Sequence, residues 1–136
     1  MAKPQITIVG GGVAGLCLAA ELAERGMAFR LFDRYGRPAE HSCSWWAGGM
    51  LAPFCESEAA EEPVVRLGQE AADWWQRHNV DVKRNGSLVL ALGRDGGELD
   101  RFARRTSHYE WVDADGVAAL EPDLAGRARR GLFFST

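Results

Sequence analysis

Ile6-Thr7-Ile8-Val9-Gly10-Gly11-Gly12-Val13-Ala14-Gly15 is the stretch on which the fold of this chain turns. Ile6 to Val9 is a short, β-branched, nearly continuous apolar run, the pattern of a strand buried on both faces. Three glycines follow at once. Apolar residues then recur at helical spacing through Leu16, Ala19, Ala20 and Ala23, so a helix is expected from about Val13 to Arg25. Gly26 is placed to end it as a left-handed cap. Ala28 to Phe32 supplies a second apolar strand, which stops at Asp33. Together they form a β-α-β unit of about 30 residues, its helix crossing between parallel strands.

The fold class is therefore α/β and Rossmann-like, and the glycines say what the unit binds. Gly10, Gly12 and Gly15 occupy the three positions of a dinucleotide fingerprint, directly after a strand and directly before a helix. Gly10 permits the tight turn out of the strand. Gly12 lacks a Cβ, so a pyrophosphate can approach the backbone. Gly15 lets the helix pack closely on the strand. The diphosphate would rest on the unsatisfied N–H groups of the helix start, around Val13 and Ala14, and on the positive end of the helix dipole. Asp33 lies about 20 residues past the motif, where a carboxylate accepts ribose hydroxyls. It would repel the 2′-phosphate of NADP, although Arg34 stands beside it. The fingerprint alone does not separate FAD from NAD.

Regularity disappears from Tyr35 to Glu62, where Gly36, Gly48, Gly49, Pro38 and Pro53 punctuate the chain. A structureless segment of this length inside a domain is usually functional. Ala47, Gly48 and Gly49 bring bare backbone close to something flat, with Trp45, Trp46 and Met50 as large soft neighbours. Backbone N–H donors aimed at flavin N5 and O4 would need such small residues. A hydrophobic loop folding into a core fits the composition equally well.

Pro63 sits at a helix start, and Val64, Leu67, Ala71 and Trp75 mark one apolar face running toward His78, with Asn79 to cap it. Val80 to Val82 and Ser87 to Leu92 flank Asn85-Gly86, which reads as a hairpin or bulged turn between antiparallel strands. A loop with Gly93, Gly96 and Gly97 leads into a charged helix from about Glu98 to Arg105. Glu110 to Val112 is a brief strand, Asp113 a cap for a helical turn from Asp115 to Leu120 closed by Pro122, and Gly131 to Phe134 a further strand.

Of the 136 residues, 46% are hydrophobic and 26% charged, a soluble globular composition. The net charge of −3, with Lys and Arg dispersed, argues against a nucleic-acid or anionic-membrane surface. Arg127, Arg129 and Arg130 read as a solvated loop. Three cysteines, Cys17, Cys43 and Cys55, form neither a disulfide framework nor a zinc pattern and favour a reducing compartment. Met-Ala-Lys-Pro-Gln runs directly into a strand with no signal-peptide pattern, and no window reaches the roughly 18 apolar residues of a membrane span. The expected location is cytoplasmic. His41, His78 and His108 follow no metal-ligand or triad spacing and read as surface or packing histidines. Ser44 has no nucleophile-elbow motif around it, which argues against a hydrolase.

The fingerprint, together with Ser44-Trp45-Trp46-Ala47-Gly48-Gly49-Met50-Leu51-Ala52-Pro53 and the acidic Glu56 and Glu58 behind it, resembles the glycine oxidase branch of the D-amino-acid oxidase family, which includes the thiamine-pathway oxidase. Similarity continues more weakly through Trp74-Trp75, the run Val82 to Leu88 and the turn Leu120-Glu121-Pro122-Asp123-Leu124. The resemblance implies a glutathione-reductase-type FAD domain. Gly10, Gly12, Val13, Ala14, Gly15 and Asp33 would hold the ADP part of FAD. Arg34 would lie near the adenine ribose and Ser44 near the diphosphate or its water, while Ala47, Gly48, Gly49 and Met50 would line the isoalloxazine. Asp33 stands where the family more often has glutamate, and Trp45 and Trp46 are bulkier than its usual residues.

The resemblance further implies hydride transfer from an amino-acid Cα to flavin N5, giving an imine, with oxygen then reduced to hydrogen peroxide. Residues 1–78 would be the N-terminal part of the FAD-binding domain and 79–136 the first part of an antiparallel substrate domain. Family members are more than twice as long, so Thr136 is expected to be a break. The catalytic and substrate-gripping residues are expected beyond it, in a C-terminal half or companion chain. Two parallel strands cannot bury both their faces, so the unit should be marginal alone. The partner implied is a small amino-acid or amine substrate; nothing argues against an oligomer. Alternatives are a dehydrogenase passing electrons from D-amino acids or sarcosine to a carrier, an inactive nucleotide-binding fragment that needs a partner, and an NAD-dependent dehydrogenase.

Overall fold

The structure, a computed structural model, describes residues 6–91 and 95–135. The readings placed on Met1 to Gln5, on Leu92 and Gly93, and on Thr136 lie outside these. The chain divides into two compact units, Met1–Gly49 and Met50–Thr136. This division falls earlier than the one between residues 78 and 79.

The first unit holds β1 (Ile6–Val9), α1 (Val13–Glu24) and β2 (Phe29–Phe32). The two strands pair in parallel, Ile6 with Phe29 through Val9 with Phe32, and the Gly10 N–H continues the ladder onto the Phe32 carbonyl at 2.8 Å. Gly26 takes the left-handed conformation that ends α1, at φ +63°. Ile8 and Leu22 are buried between strand and helix, but Val9 is 85% exposed and Phe32 54%. The uncovered face is the one expected of two parallel strands alone. A two-stranded sheet with one crossover helix has apolar cover on one side only. Within the segment after β2, Cys43–Trp46 forms a single 3-10 turn.

The second unit begins with three short helices, α2 (Pro53–Glu56), α3 (Glu62–Gly68) and α4 (Ala71–Arg77). The single helix from Pro63 toward His78 is therefore broken. Gly68, the last residue of α3, packs so closely on Pro53 that an added Cβ would lie 3.1 Å from the Pro53 Cβ. Asn79 closes α4 in the left-handed region, at φ +61°.

Further along come β3 (Ser87–Leu90), α5 (Gly96–Arg105), β4 (Glu110–Asp113), α6 (Ala114–Leu120) and β5 (Arg130–Phe134). The sheet order is β3-β5-β4, both pairings antiparallel, with Ser87 opposite Phe134 and Glu110 opposite Phe133. Residues 80–82 form no strand, so the hairpin expected around Asn85-Gly86 does not form. Gly86, at φ +79°, delivers β3 to β5 instead. Pairing there seals Leu132 and Phe134, which are essentially inaccessible, whereas Val80 stays 44% exposed. Phe54, Leu99 and Ala103 complete that core. On α5 the i, i+4 pair Leu99 and Ala103 faces inward and the charges face out. Asp113 caps α6, accepting the Gly116 N–H at 2.8 Å.

Candidate dinucleotide-binding site

The site is built where β1 gives way to α1. Gly10 takes φ +103°, a conformation that L side chains rarely adopt, and so turns the chain sharply out of the strand. A Cβ on Gly15 would overlap the Gly10 carbonyl oxygen and lie 3.3 Å from Ile8 Cγ2, so helix and strand meet with no room for a side chain. The first N–H groups of α1 have no acceptor within the helix. Gly12, the N-cap, brings no side chain to satisfy them.

Ser44 does this from 31 residues downstream, its Oγ accepting the Val13 N–H at 3.0 Å. A Cβ on Gly12 would stand 3.2 Å from Ser44 Oγ and 3.8 Å from Ser42 Oγ. The helix start is therefore faced by bare backbone and two hydroxyls, with no acidic residue in its first turn. This donor set suits an anion such as a diphosphate.

On the other side of the glycine turn, Asp33 Oδ2 accepts the Gly11 N–H at 2.8 Å and Oδ1 accepts the Tyr35 N–H at 3.0 Å. His41 Nε2 lies 3.6 Å from Oδ1. The Tyr35 N–H and then the Gly11 N–H hold the Asp33 carboxyl below the usual carboxylate range; burial opposes them and His41 adds to them. An ionised carboxylate offers about four lone-pair positions. Two are taken by main-chain donors, so capacity remains for ribose hydroxyls.

The loop that carries Ser44 is tied to itself. Ser42 N–H donates to the Ala39 carbonyl at 2.8 Å, Trp45 N–H to Ser42 at 3.0 Å, and the Trp46 indole N–H to the Glu40 carbonyl at 2.8 Å. Ala47, Gly48 and Gly49 follow as exposed backbone, Gly49 at φ +67° and Gly48 with open space where a Cβ would be. Met50 opens the second unit, exposed.

The structure thus gathers Gly10, Gly12, Val13, Gly15, Asp33 and Ser44 around one turn. Ala14 lies in the same first turn of α1, and Arg34 is exposed beside Asp33. The sequence reading missed Gly11, Tyr35 and His41. The first two act through main-chain N–H groups, which carry no residue signature. The sequence marks His41, like His78 and His108, only as a surface or packing histidine; its ring packs on Tyr35, as that of His78 stacks on Trp74 and that of His108 on Phe54. Among the described residues no three His, Cys, Asp or Glu side chains gather as metal ligands would, and no helix is long and apolar enough to cross a membrane.

Residues 5–136 match the family model described as DAO, FAD dependent oxidoreductase. The oxidoreductase named ThiO, for thiamine biosynthesis, of Rhizobium etli is 56% identical over 131 residues, covering 96% of this chain and 40% of that protein. A D-amino-acid oxidase of Streptomyces coelicolor is 48% identical over 116 residues, covering 85% of this chain and 32% of its own length. In three dimensions, glycine oxidase from Bacillus cereus superposes with a TM-score of 0.74 at 23% identity, over 98% of this chain and 39% of that one. The chain spans about two-fifths or less of each of these proteins.

Proposed function

The chain belongs to the DAO family of FAD dependent oxidoreductases, and on that premise we propose that it holds the ADP half of FAD in an enzyme oxidising the C–N bond of a small, glycine-like amino acid or amine. What carries the reading is the pair of contacts that close the glycine turn, Gly11 N–H to Asp33 and Val13 N–H to Ser44. One prepares a carboxylate for the ribose, the other a hydroxyl beside the diphosphate.

In this reading Gly10, Gly12, Val13, Ala14, Gly15 and Ser44 bind the diphosphate, and Asp33 and Arg34 the adenosine ribose. Ala47, Gly48, Gly49 and Met50 border the isoalloxazine, where bare backbone leaves the ring accessible to main-chain donors. Bound FAD would supply the electron-accepting chemistry, taking a hydride equivalent from the substrate Cα as the amine nitrogen gives up a proton to leave an imine, and oxygen would take up the two electrons with two protons as hydrogen peroxide. The chain's own residues bind and orient. Residues 1–78 serve the cofactor and 79–136 begin the substrate domain, a partition by role. Substrate-holding groups would come from the part of the family fold this chain does not span, on the same polypeptide or a companion. Three free thiols favour a reducing, cytoplasmic setting.

The test is to add glycine, sarcosine and D-alanine anaerobically to the full-length gene product and follow flavin bleaching, then admit air. Bleaching by one of them, with peroxide formed on aeration, is expected. Bleaching with slow reoxidation by oxygen would make the enzyme a dehydrogenase, and no bleaching by any amine would end the reading.

A further inference from the structure

His41 lies in the loop that follows β2, yet its ring is no ordinary surface group. Its side chain is 25% exposed and that of Asp33 17%. The imidazole packs on Tyr35 with ring centroids 4.1 Å apart, tilted by 45°, while its Nε2 faces Asp33 Oδ1 at 3.6 Å. The same Oδ1 receives the Tyr35 N–H. The carboxylate is therefore approached from three directions: Gly11 from the glycine turn, Tyr35 from the chain just behind it, and His41 from eight residues further on.

The placement of His41 follows from the loop's own bonding. Ser42 N–H is bonded to Ala39 and the Trp46 indole to Glu40, so the backbone on both sides of His41 is held. Two residues past Ser42, Ser44 Oγ sits on the Val13 N–H. One short loop thus sets a hydroxyl at the phosphate end and an imidazole at the ribose end of the same turn.

We propose that His41 is a positioning residue for the adenosine ribose: Nε2–H, directed at Asp33 Oδ1, holds the carboxylate plane so that its remaining lone pairs face the ribose hydroxyls. This rests on the FAD reading above. A group that only packs the loop would affect every ligand of the cradle alike. One that acts through Asp33 affects only ligands with ribose hydroxyls.

The experiment uses the full-length gene product freed of flavin, as wild type, His41→Ala and His41→Gln, with far-UV circular dichroism to verify folding. Affinities are measured for FAD, ADP and 2′,3′-dideoxy-ADP. His41→Ala is expected to weaken FAD and ADP about three- to tenfold, less than a full charge-assisted hydrogen bond would give, since the contact is 3.6 Å long. It should leave the dideoxy nucleotide unchanged, and His41→Gln, which retains an N–H donor, should recover most of the loss. Equal weakening of ADP and its dideoxy analogue, or no weakening at all, overturns the proposal while leaving the FAD reading intact. A wild type that binds neither FAD nor ADP overturns both.

Discussion

Replacing Gly15 by alanine adds one methyl group where helix α1 meets the end of β1. That methyl would overlap the Gly10 carbonyl oxygen and come within 3.1 Å of its carbon and 3.3 Å of Ile8 Cγ2. Neither neighbour can step aside cheaply, because Gly10 is tied by its N–H to Phe32 and Ile8 is buried. An unstrained carbon–oxygen contact needs about 3.3 Å, so the helix start must retreat by more than about 1 Å. Overpacking of this kind costs about 1–3 kcal/mol, and a backbone partner puts it at the upper end. Alanine returns up to about 1 kcal/mol of helix propensity, leaving a net loss of about 2 kcal/mol. That corresponds to a fall in Tm of about 8 °C. The same retreat carries the first N–H groups of α1 out of hydrogen-bond range of a diphosphate, and each such bond to a charged group contributes about 1.5–3 kcal/mol. FAD affinity should therefore drop more than about tenfold. The assay is thermal melting by circular dichroism with a parallel flavin-fluorescence titration. Gly48→Ala serves as the control, since a Cβ there meets nothing within 4 Å and melting should match wild type. A Gly15→Ala protein that melts with wild type and binds FAD equally well would refute the reasoning.

In the second unit, Gly86→Ala forces a strained left-handed backbone and sets a Cβ 2.5 Å from the Phe134 carbonyl oxygen and 2.6 Å from the Phe133 ring. A loss of about 2–4 kcal/mol is expected from strain and overlap together, read from urea unfolding. For Asp33, the lowered carboxyl value set by Tyr35, Gly11 and His41 fixes the sign of a pH effect. Its contribution is fully present above the unfolded value, about 3.9, and is lost as pH falls through the lower folded value. Melting temperature should decline in that acid window, and Asp33→Asn should flatten the decline. Among the three free thiols, exposed Cys43 should react first with a neutral disulfide reagent. Burial raises the thiols of Cys17 and Cys55, and those two should lag, as peptide mass mapping after partial labelling would reveal.

The β-α-β unit was legible because its determinants are local: β-branched strands, glycines each with a steric task, and an acid at the strand end. The positions of Gly10, Gly12, Gly15 and Asp33 followed from that pattern alone. The β3-β5-β4 sheet was not legible in this way. Asn85-Gly86 carries a strong local hairpin signal, but the partner that wins lies more than 40 residues downstream, where Leu132 and Phe134 bury far more apolar surface than Val80 and Val82 can offer. The break between α3 and α4 escaped notice because Val64, Leu67, Ala71 and Trp75 keep helical spacing straight across it. At the site, Gly11 and Tyr35 work through backbone donors that any residue except proline would supply, and His41 reaches Asp33 only because the loop turns back on itself.

The central claim, that this cradle holds FAD, is tested most directly by the visible absorption spectrum of the purified full-length gene product, followed by denaturation and mass identification of whatever is released. Flavin bands and a released mass equal to FAD are predicted, with FAD occupancy reduced in a Gly15→Ala protein. A colourless protein that takes up no FAD when it is supplied, or one that releases NAD instead, would contradict the claim.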